Sequence, residues 1–439
     1  MNSSIRVKLF VMMVLEFFIW GAWLPKIFGY LPSLGFNPEW QQPLILNAFP
    51  VAAIIGMFFS NQFADRSFAA EKFLAFSHLV GGLAILGLGF TKSFWPFFWL
   101  MFVHCLLYVP TISITNSIAF AQMKDAQKEF GIVRMGGTIG WILAAWPFAF
   151  ILVDWDKVRA ANPQGIINWL GTALGSGLTG DALLDGTRWT YIVAGIVSLA
   201  LAAFSLTLPH TPPRKAGVGG AESLAWLEAL KLLKHPFVLV LWLVTLVDSF
   251  VHNCYFNWTE TFLKSPAVGI AGNWTMPVMS IGQVAEILTM FILGATLKRL
   301  GWRATMIVGI LGHAARFAVY AFVPNQSAII VVQVLHGICY AFFFATVYIF
   351  VDEHFPKDVR ASAQGLFNVM ILGIGALAAN SICPILIQKT FSAGGVTDFR
   401  GLFLVPLATA SAAAIALALF FHPPKKEQPT LVGATAPAH

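Results

Sequence analysis

The chain has 439 residues, of which 58% are hydrophobic and only 11% are charged. Soluble domains carry about 25% charged residues, so this composition excludes a water-soluble fold and predicts a chain embedded in lipid. The net charge of +7 does not by itself indicate nucleic acid, because Lys and Arg also collect in the cytoplasmic loops of membrane proteins.

Twelve apolar runs of about 20 residues follow one another along the chain and predict membrane-spanning helices. They lie near residues 8–30, 43–62, 73–91, 95–121, 132–153, 187–208, 237–263, 274–297, 303–323, 327–351, 362–387 and 399–421. No small-residue cleavage site follows the first run, so we expect a retained helix there. An even number of spans places both termini on the same side of the membrane.

The basic residues indicate which side that is. Most of the 27 Lys and Arg residues fall in segments that are cytoplasmic if the N-terminus is inside. We therefore expect a multi-pass protein of the bacterial inner membrane with both termini in the cytoplasm. Residues 154–186 then form the longest outer loop, which we interpret as a spacer, with a lid as the alternative.

The two halves of the chain resemble each other. The loop after the second run contains Arg66, and a basic counterpart with Arg299 follows the eighth. The loops after the fourth and tenth runs end at Arg134 and Arg360, at a similar offset. Two related six-helix halves, with a substrate site between them at mid-membrane, are the architecture of the major facilitator superfamily. The expected fold is therefore an all-α membrane protein of twelve helices in two pseudo-symmetric bundles.

Composition also predicts the domain boundaries. Pro and Gly residues mark a linker near the midpoint, followed by apolar and basic residues that predict a short amphipathic helix on the cytoplasmic face. The expected units are an N-terminal bundle (1–208), a cytoplasmic linker with this helix (209–236), a C-terminal bundle (237–423) and a disordered tail (424–439).

Several ionisable side chains fall within the apolar runs, where they are costly and usually face a cavity or a partner. They include Glu16, Asp248, Glu286, Arg316, His104 and His336. A carboxyl that exchanges its proton between the two sides can couple proton flow to solute flow. Glu16, Glu286 and Asp248 are therefore candidate proton-coupling residues. The alternative for each is a structural bond to a neighbouring helix, and Arg316 is expected to brace the bundle.

Amides accompany these groups. Gln283 lies three residues before Glu286 on the same helix face, and Asn253 adds an amide in the seventh run. Rings that offer stacking surfaces belong to Trp20, Trp23, Trp141 and Tyr340. Such a set suits a neutral molecule that bears hydroxyl groups and a planar ring. No phosphate-binding loop, metal cluster or activated nucleophile accompanies it, so we expect neither an enzyme nor a bound cofactor.

Six stretches of the sequence carry a family resemblance. They read WGAWL (20–24), YVPTISITNSI (108–118), IVRMGGTIG (132–140), LTLPHTP (206–212), MSIGQVAE (279–286) and VRASAQGLF (359–367). Spread over nearly the whole chain, they resemble the nucleoside:proton symporters of the major facilitator superfamily, the bacterial nucleoside and xanthosine permeases. This resemblance implies nucleoside uptake with protons by alternating access, with the proton as the coupling ion.

The resemblance also implies a substrate-binding site. Arg134, Thr138, Gln283 and Glu286 match residues that line the nucleoside site of the family. Four further positions are Trp141, where the family has Phe; His336 and Tyr340, where it has Tyr and Phe; and Asn253, which matches a site asparagine across a gap.

The chain departs from the family pattern at its proton path. The acidic residue of the tenth helix falls at Ala341 here, while Glu16 stands where the family has Gln. We hypothesise that Glu16 replaces the missing acid from the other half of the carrier.

Two other functions stay open at this point. One is a symporter for another polar solute such as a sugar, and the other is a transporter-like sensor without turnover. In each case the expected partners are a small molecule and the lipid bilayer, without nucleic acid, and the expected state is a monomer.

Overall fold

The computed structural model describes residues 3–56, 69–123, 126–212, 230–355 and 360–423, and these residues are almost entirely helical. Ten of their helices are long and apolar enough to cross a membrane. The longest, Thr275–Phe322, changes direction at Gly301, whose φ of 72° interrupts the helix, and it therefore supplies two spans. A further apolar helix covers Gln41–Gly56. The described residues thus contain the twelve expected spans, which confirms the predicted fold class.

In chain order the membrane helices are α1 (Ser3–Ser33), α2 (Gln41–Gly56), α3 (Ala70–Leu88), α4 (Phe94–Gln122), α5 (Ala126–Ala145), α6 (Trp189–Ser205), α7 (Pro236–Lys264), α8 (275–300), α9 (302–322), α10 (Gln326–Val351), α11 (Gly365–Thr390) and α12 (Phe399–Phe420). A two-residue hairpin joins α11 to α12, pairing Ser392–Ala393 with Val396–Thr397. Both of its turn residues are glycines with positive φ.

The buried apolar side chains form two large clusters. One draws on residues 9–208 with the addition of Met276, and the other draws on residues 238–421. Glycines allow helices to approach closely inside each half. An added methyl group at Gly140 of α5 would overlap the carbonyl oxygen of Val14 on α1, and one at Gly337 of α10 would overlap the backbone of α8. Each half is therefore a separately packed bundle.

Polar contacts join the halves where α1 ends and α2 begins, here called the outer end after the orientation expected from the basic residues. The Lys26 ammonium lies 3.2 Å from a Glu260 carboxylate oxygen, and both side chains are only 2% exposed. A cavity of about 230 Å³ lies beside this pair. Further polar contacts between the halves at this end are Gln42–Gln388, Asn47–Ser381, Asn380–Leu46 and the exposed ion pair Glu39–Lys389.

The predicted outer loop contains three short helices, which the sequence did not suggest. They are Trp155–Ala161, Ile166–Gly175 and Gly180–Thr187. The loop also reaches the other half, because Asn273 and Trp274, just before α8, both donate to the carbonyl of Leu174. The expected amphipathic helix of the linker rests on Ala225, Leu227, Leu230 and Leu233. Its first part lies outside the described residues, and its described end is helical up to the 3-10 turn Leu232–Lys234. The expected tail (424–439) lies outside the described residues.

Candidate functional site

Three charged or polar residues predicted from the resemblance lie within electrostatic range of one another, on helices of both halves. The Arg134 guanidinium of α5 lies 4.3 Å from the centre of the Phe17 ring of α1. Its positive charge acts on the Glu286 carboxyl of α8 and on the Tyr340 hydroxyl of α10, and Glu286 in turn acts on Tyr340. The structure therefore brings Arg134, Glu286 and Tyr340 to one space that both bundles share.

Gln283 contributes an unused hydrogen-bond acceptor one helical turn before Glu286. Its side chain is 7% exposed, and its Oε1 atom is buried without a hydrogen-bond partner among the described residues. A buried amide oxygen without a donor costs on the order of 1–3 kcal/mol, so such an atom is normally paired with protein, ordered water or a bound ligand. The position next to Glu286 makes this oxygen a suitable acceptor for a ligand hydroxyl or amine.

Aromatic rings close one side of this space. The Trp141 ring of α5 meets the Trp20 ring edge-on at 5.2 Å, and Trp20 stacks on Phe49 at 4.7 Å. Trp141 also reaches Phe256 of α7 at 6.4 Å, across the boundary between the halves. Thr138 is half-buried one turn before Trp141 on α5. Together these side chains provide an apolar wall beside the polar groups.

Two predicted site residues are engaged elsewhere in the C-terminal half. The Asn253 amide donates to the Ser249 carbonyl of its own helix at 2.8 Å. The His336 side chain is 2% exposed, and its Nδ1 atom lies 2.8 Å from the Arg316 guanidinium. These two side chains therefore bond to other protein groups in this conformation and do not offer their polar atoms to a ligand.

Glu16 is fully buried inside the N-terminal half, and both of its carboxylate oxygens have partners. Thr111 donates to Oε1 at 2.7 Å, and His78 Nε2 lies 2.8 Å from Oε2. His78 Nδ1 is in turn 3.0 Å from the Ser198 hydroxyl. Sequence reasoning missed His78, although an ionisable residue within the third apolar run was the available signal.

Asp248 is also fully buried, but its carboxylate has no hydrogen-bond partner among the described residues. Its nearest ionisable neighbour is His313 of α9, whose Nε2 atom lies 3.6 Å from Oδ2. Sequence reasoning missed His313 as well as His252, which lies one turn after Asp248 on α7. Arg316 does brace the bundle as expected, since its guanidinium also lies 4.0 Å from the centre of the Tyr255 ring.

Comparisons with known proteins identify the family. The family model described as nucleoside H+ symporter matches residues 1–174 and 163–426. The xanthosine permease of Escherichia coli K12 is 26% identical over 419 residues, covering 92% of each chain. The nucleoside permease NupG of the same strain is 23% identical over 421 residues, again covering 92% of each.

Solved structures agree on the fold. The crystal structure of the nucleoside transporter NupG superposes with a TM-score of 0.77 at 21% identity, covering 97% of this chain and all of the other. A D-xylose-proton symporter superposes with a TM-score of 0.68 at 14% identity, covering 95% of this chain and 98% of that chain. The protein is accordingly a multi-pass transporter of the inner membrane and not an enzyme. The chain belongs to the nucleoside H+ symporter family within the major facilitator fold.

Proposed function

We propose that this protein imports nucleosides by binding them between its halves, against Arg134, Thr138, Trp141, Gln283, Glu286 and Tyr340, while Asn253 and His336 hold the neighbouring helix segments in place. The observation that carries this proposal is the buried Gln283 oxygen without a partner among the described residues, one turn from Glu286, which lies within electrostatic range of Arg134. Ligand sites combine apolar walls with a few convergent polar groups, and this space has both.

The chemistry of a nucleoside fits these groups. Ribose hydroxyls can donate to the Gln283 oxygen and to the Glu286 carboxylate, which is a strong acceptor when ionised. Arg134 only donates, so it suits a carbonyl oxygen of the base or a ribose oxygen. A planar base can stack on the Trp141 and Tyr340 rings. A neutral nucleoside therefore satisfies the site without bringing a second charge into it.

Alternating access follows from the contacts between the halves. The outer end is closed by the Lys26–Glu260 pair, and the site must open there to admit a ligand from outside. In the orientation proposed here, with both termini in the cytoplasm, breaking this pair exposes the site to the outside and re-forming it encloses the ligand. The proton supplies the driving force, and Glu16, Glu286 and Asp248 are the candidate carriers.

The similarity to a xanthosine permease and a nucleoside permease supports a nucleoside as substrate, whereas the xylose symporter shares only the fold. Counterflow in proteoliposomes tests this choice. Labelled uridine, adenosine or xanthosine should exchange, and excess xylose should not compete. Competition by xylose but not by nucleosides would contradict the proposal, and binding of nucleosides without exchange would indicate a sensor.

A Gln283→Leu variant tests the site itself. Loss of the acceptor should weaken nucleoside binding by about 1–3 kcal/mol, or roughly five- to 150-fold in Kd. Gln326→Leu is the matched control, because Gln326 is exposed at the start of α10. Equal nucleoside affinity in both variants would contradict the assignment of Gln283.

A further inference from the structure

A cluster of ionisable side chains from α7, α9 and α10 lies inside the C-terminal half, behind the proposed site. Asp248, His313 and Arg316 are fully buried and His336 is 2% exposed. The half-buried His252 ring lies 5.1 Å from the His336 ring and 5.5 Å from the His313 ring. No three His, Cys, Asp or Glu residues in the described parts of the chain are grouped to hold a metal ion, so another role is needed.

Arg316 fixes the protonation of two histidines. Its guanidinium nitrogens lie 2.8 Å from His336 Nδ1 and 2.9 Å from His313 Nδ1. A guanidinium group only donates, so both Nδ1 atoms accept and carry no proton. Both imidazoles are therefore neutral, each with its single proton on Nε2. The cluster then contains one permanent positive charge and one carboxyl that can balance it.

That carboxyl is Asp248, and its geometry leaves room for a proton. His313 Nε2 points its proton toward Asp248, but 3.6 Å is too long for a hydrogen bond. Neither Asp248 oxygen is bonded within the described residues, and Arg316 is the cation that acts on it. An ionised carboxylate buried without donors is far more costly than a protonated carboxyl in the same place, so this arrangement favours the protonated form.

The N-terminal half carries a related set of residues. Three pairs of residues are separated by 232 positions: Glu16 and Asp248, His104 and His336, and Tyr108 and Tyr340. A fourth pair, His78 and His313, is separated by 235 positions. Each pair occupies equivalent helices of the two bundles, as expected of repeats in this fold. The position equivalent to Arg316 is Gly81, whose carbonyl lies 3.0 Å from His104 Nδ1.

The two sets differ where a proton would bind. Glu16 is bonded by Thr111 and His78, and its half has no arginine at the equivalent position. Asp248 is unbonded, and His313 lies between it and Arg316, with Nε2 toward Asp248 and Nδ1 bonded to Arg316. The N-terminal acid is thus saturated by structural bonds, and the C-terminal acid is free to exchange.

We propose that Asp248 binds and releases the coupling proton, with Arg316 as its counter-ion. This proposal rests on the proposed nucleoside transport and deepens it. A proton from water joins one Asp248 oxygen and converts the carboxylate to a carboxylic acid. The combined charge of Asp248 and Arg316 then rises from zero to plus one. The loaded carrier therefore moves one positive charge with each neutral nucleoside.

His336 connects this pair to the substrate site. It lies one turn before Tyr340 on α10. It also packs directly against Gly282 of α8, the residue before Gln283, because a Cβ atom added to Gly282 would lie only 2.8 Å from the His336 Cβ. A nucleoside that contacts Gln283 and Tyr340 therefore contacts the same segments of α8 and α10 that position His336. Movement of His336 shifts Arg316 relative to Asp248, so nucleoside binding and proton binding affect the same contact.

Asp248 has many titratable neighbours, and each of them can contribute to the pH dependence of proton binding at Asp248. The groups that face it or its partners are His252 and Tyr255 of α7, His313 and Arg316 of α9, and His336 and Cys339 of α10. An Asp248→Asn variant removes the exchangeable proton while leaving all of these in place.

Proteoliposomes provide the test. Asp248→Asn should bind nucleoside and exchange it in counterflow, yet accumulate no more under an imposed pH gradient than without one. Asp156→Asn, in the exposed outer loop, is the matched control and should keep the gradient response. Full gradient-driven accumulation by Asp248→Asn would overturn the proposal. Failure of the unmodified protein to transport any nucleoside would instead overturn the proposed function.

A second variant covers the case in which Asp248→Asn does not fold. Asp248→Glu keeps the carboxyl but moves it closer to His313, so coupling should persist with a displaced pH profile of gradient-driven uptake. An unchanged pH profile in a variant that transports would contradict the assignment of the proton to Asp248.

Discussion

Glu260→Gln is the most informative change at the outer end of the carrier. Glu260 pairs with Lys26 from the other half at 3.2 Å, and Lys264 of its own helix lies 3.0 Å from its second oxygen. The Lys26–Glu260 pair joins the two halves and so stabilises the conformation that is closed at this end. The substitution keeps the shape of the side chain and removes only its charge.

The expected magnitude follows from burial. Breaking a buried ion pair costs about 3–5 kcal/mol, because the remaining charge stays desolvated. Lys26 keeps hydrogen bonds to the Gly272 carbonyl and the Thr275 hydroxyl, both at 2.7 Å, so we expect a value near the lower limit. About 3 kcal/mol corresponds to a hundredfold shift toward the state open at the outer end.

A matched control lies at the same end. Glu39 forms an ion pair with Lys389 of the other half, but the two side chains are 53% and 48% exposed. Exposed pairs contribute about 0–1 kcal/mol, so Glu39→Gln should shift the same equilibrium by less than about tenfold. Comparing the two variants separates the effect of burial from that of merely crossing between the halves.

Spin-label distances report this equilibrium directly. Labels at Leu44 and Val396 place one probe on each half at exposed outer positions, and the four native cysteines are buried. Glu260→Gln should add a dominant longer distance, while Glu39→Gln should leave the distribution nearly unchanged. The same distribution in both variants would refute the role of the buried pair as the outer gate.

Two further changes probe the N-terminal bundle. Glu16→Gln should lower the melting temperature, because it disturbs the bonds to Thr111 and His78. Uptake per folded molecule should keep its response to the pH gradient. Loss of that response without loss of stability would favour Glu16 as the carrier. Gly140→Ala should destabilise the bundle by about 1–3 kcal/mol through overlap with α1, whereas Gly171→Ala, which meets open space, should not; equal melting temperatures would contradict the close approach.

The sequence was sufficient for the fold because hydrophobicity and length determine which segments cross the membrane. It correctly separated the spans on either side of Gly301, but it could not show the positive φ at that glycine, which depends on how the neighbouring segments pack. The same holds for the outer loop, whose contact between Leu174 and Trp274 joins residues from different halves.

For the site, the resemblance pointed to Arg134 and Glu286, and the structure places both at the space between the halves. The partners of the buried acids were beyond sequence reasoning, because Glu16 meets His78 only when two helices pack side by side. The constant offset between Glu16 and Asp248 was nevertheless visible in the sequence. Two acids at equivalent positions with different surroundings were the signal that could have identified the C-terminal cluster.

Simultaneous measurement of nucleoside and proton movement tests the central claim most directly. Proteoliposomes that contain the protein and an internal pH indicator should acidify when a nucleoside is added outside, without any imposed pH gradient. The initial rates should correspond to one proton for each nucleoside, in keeping with a single exchanging carboxyl. Nucleoside entry without acidification would contradict proton-coupled transport by this protein.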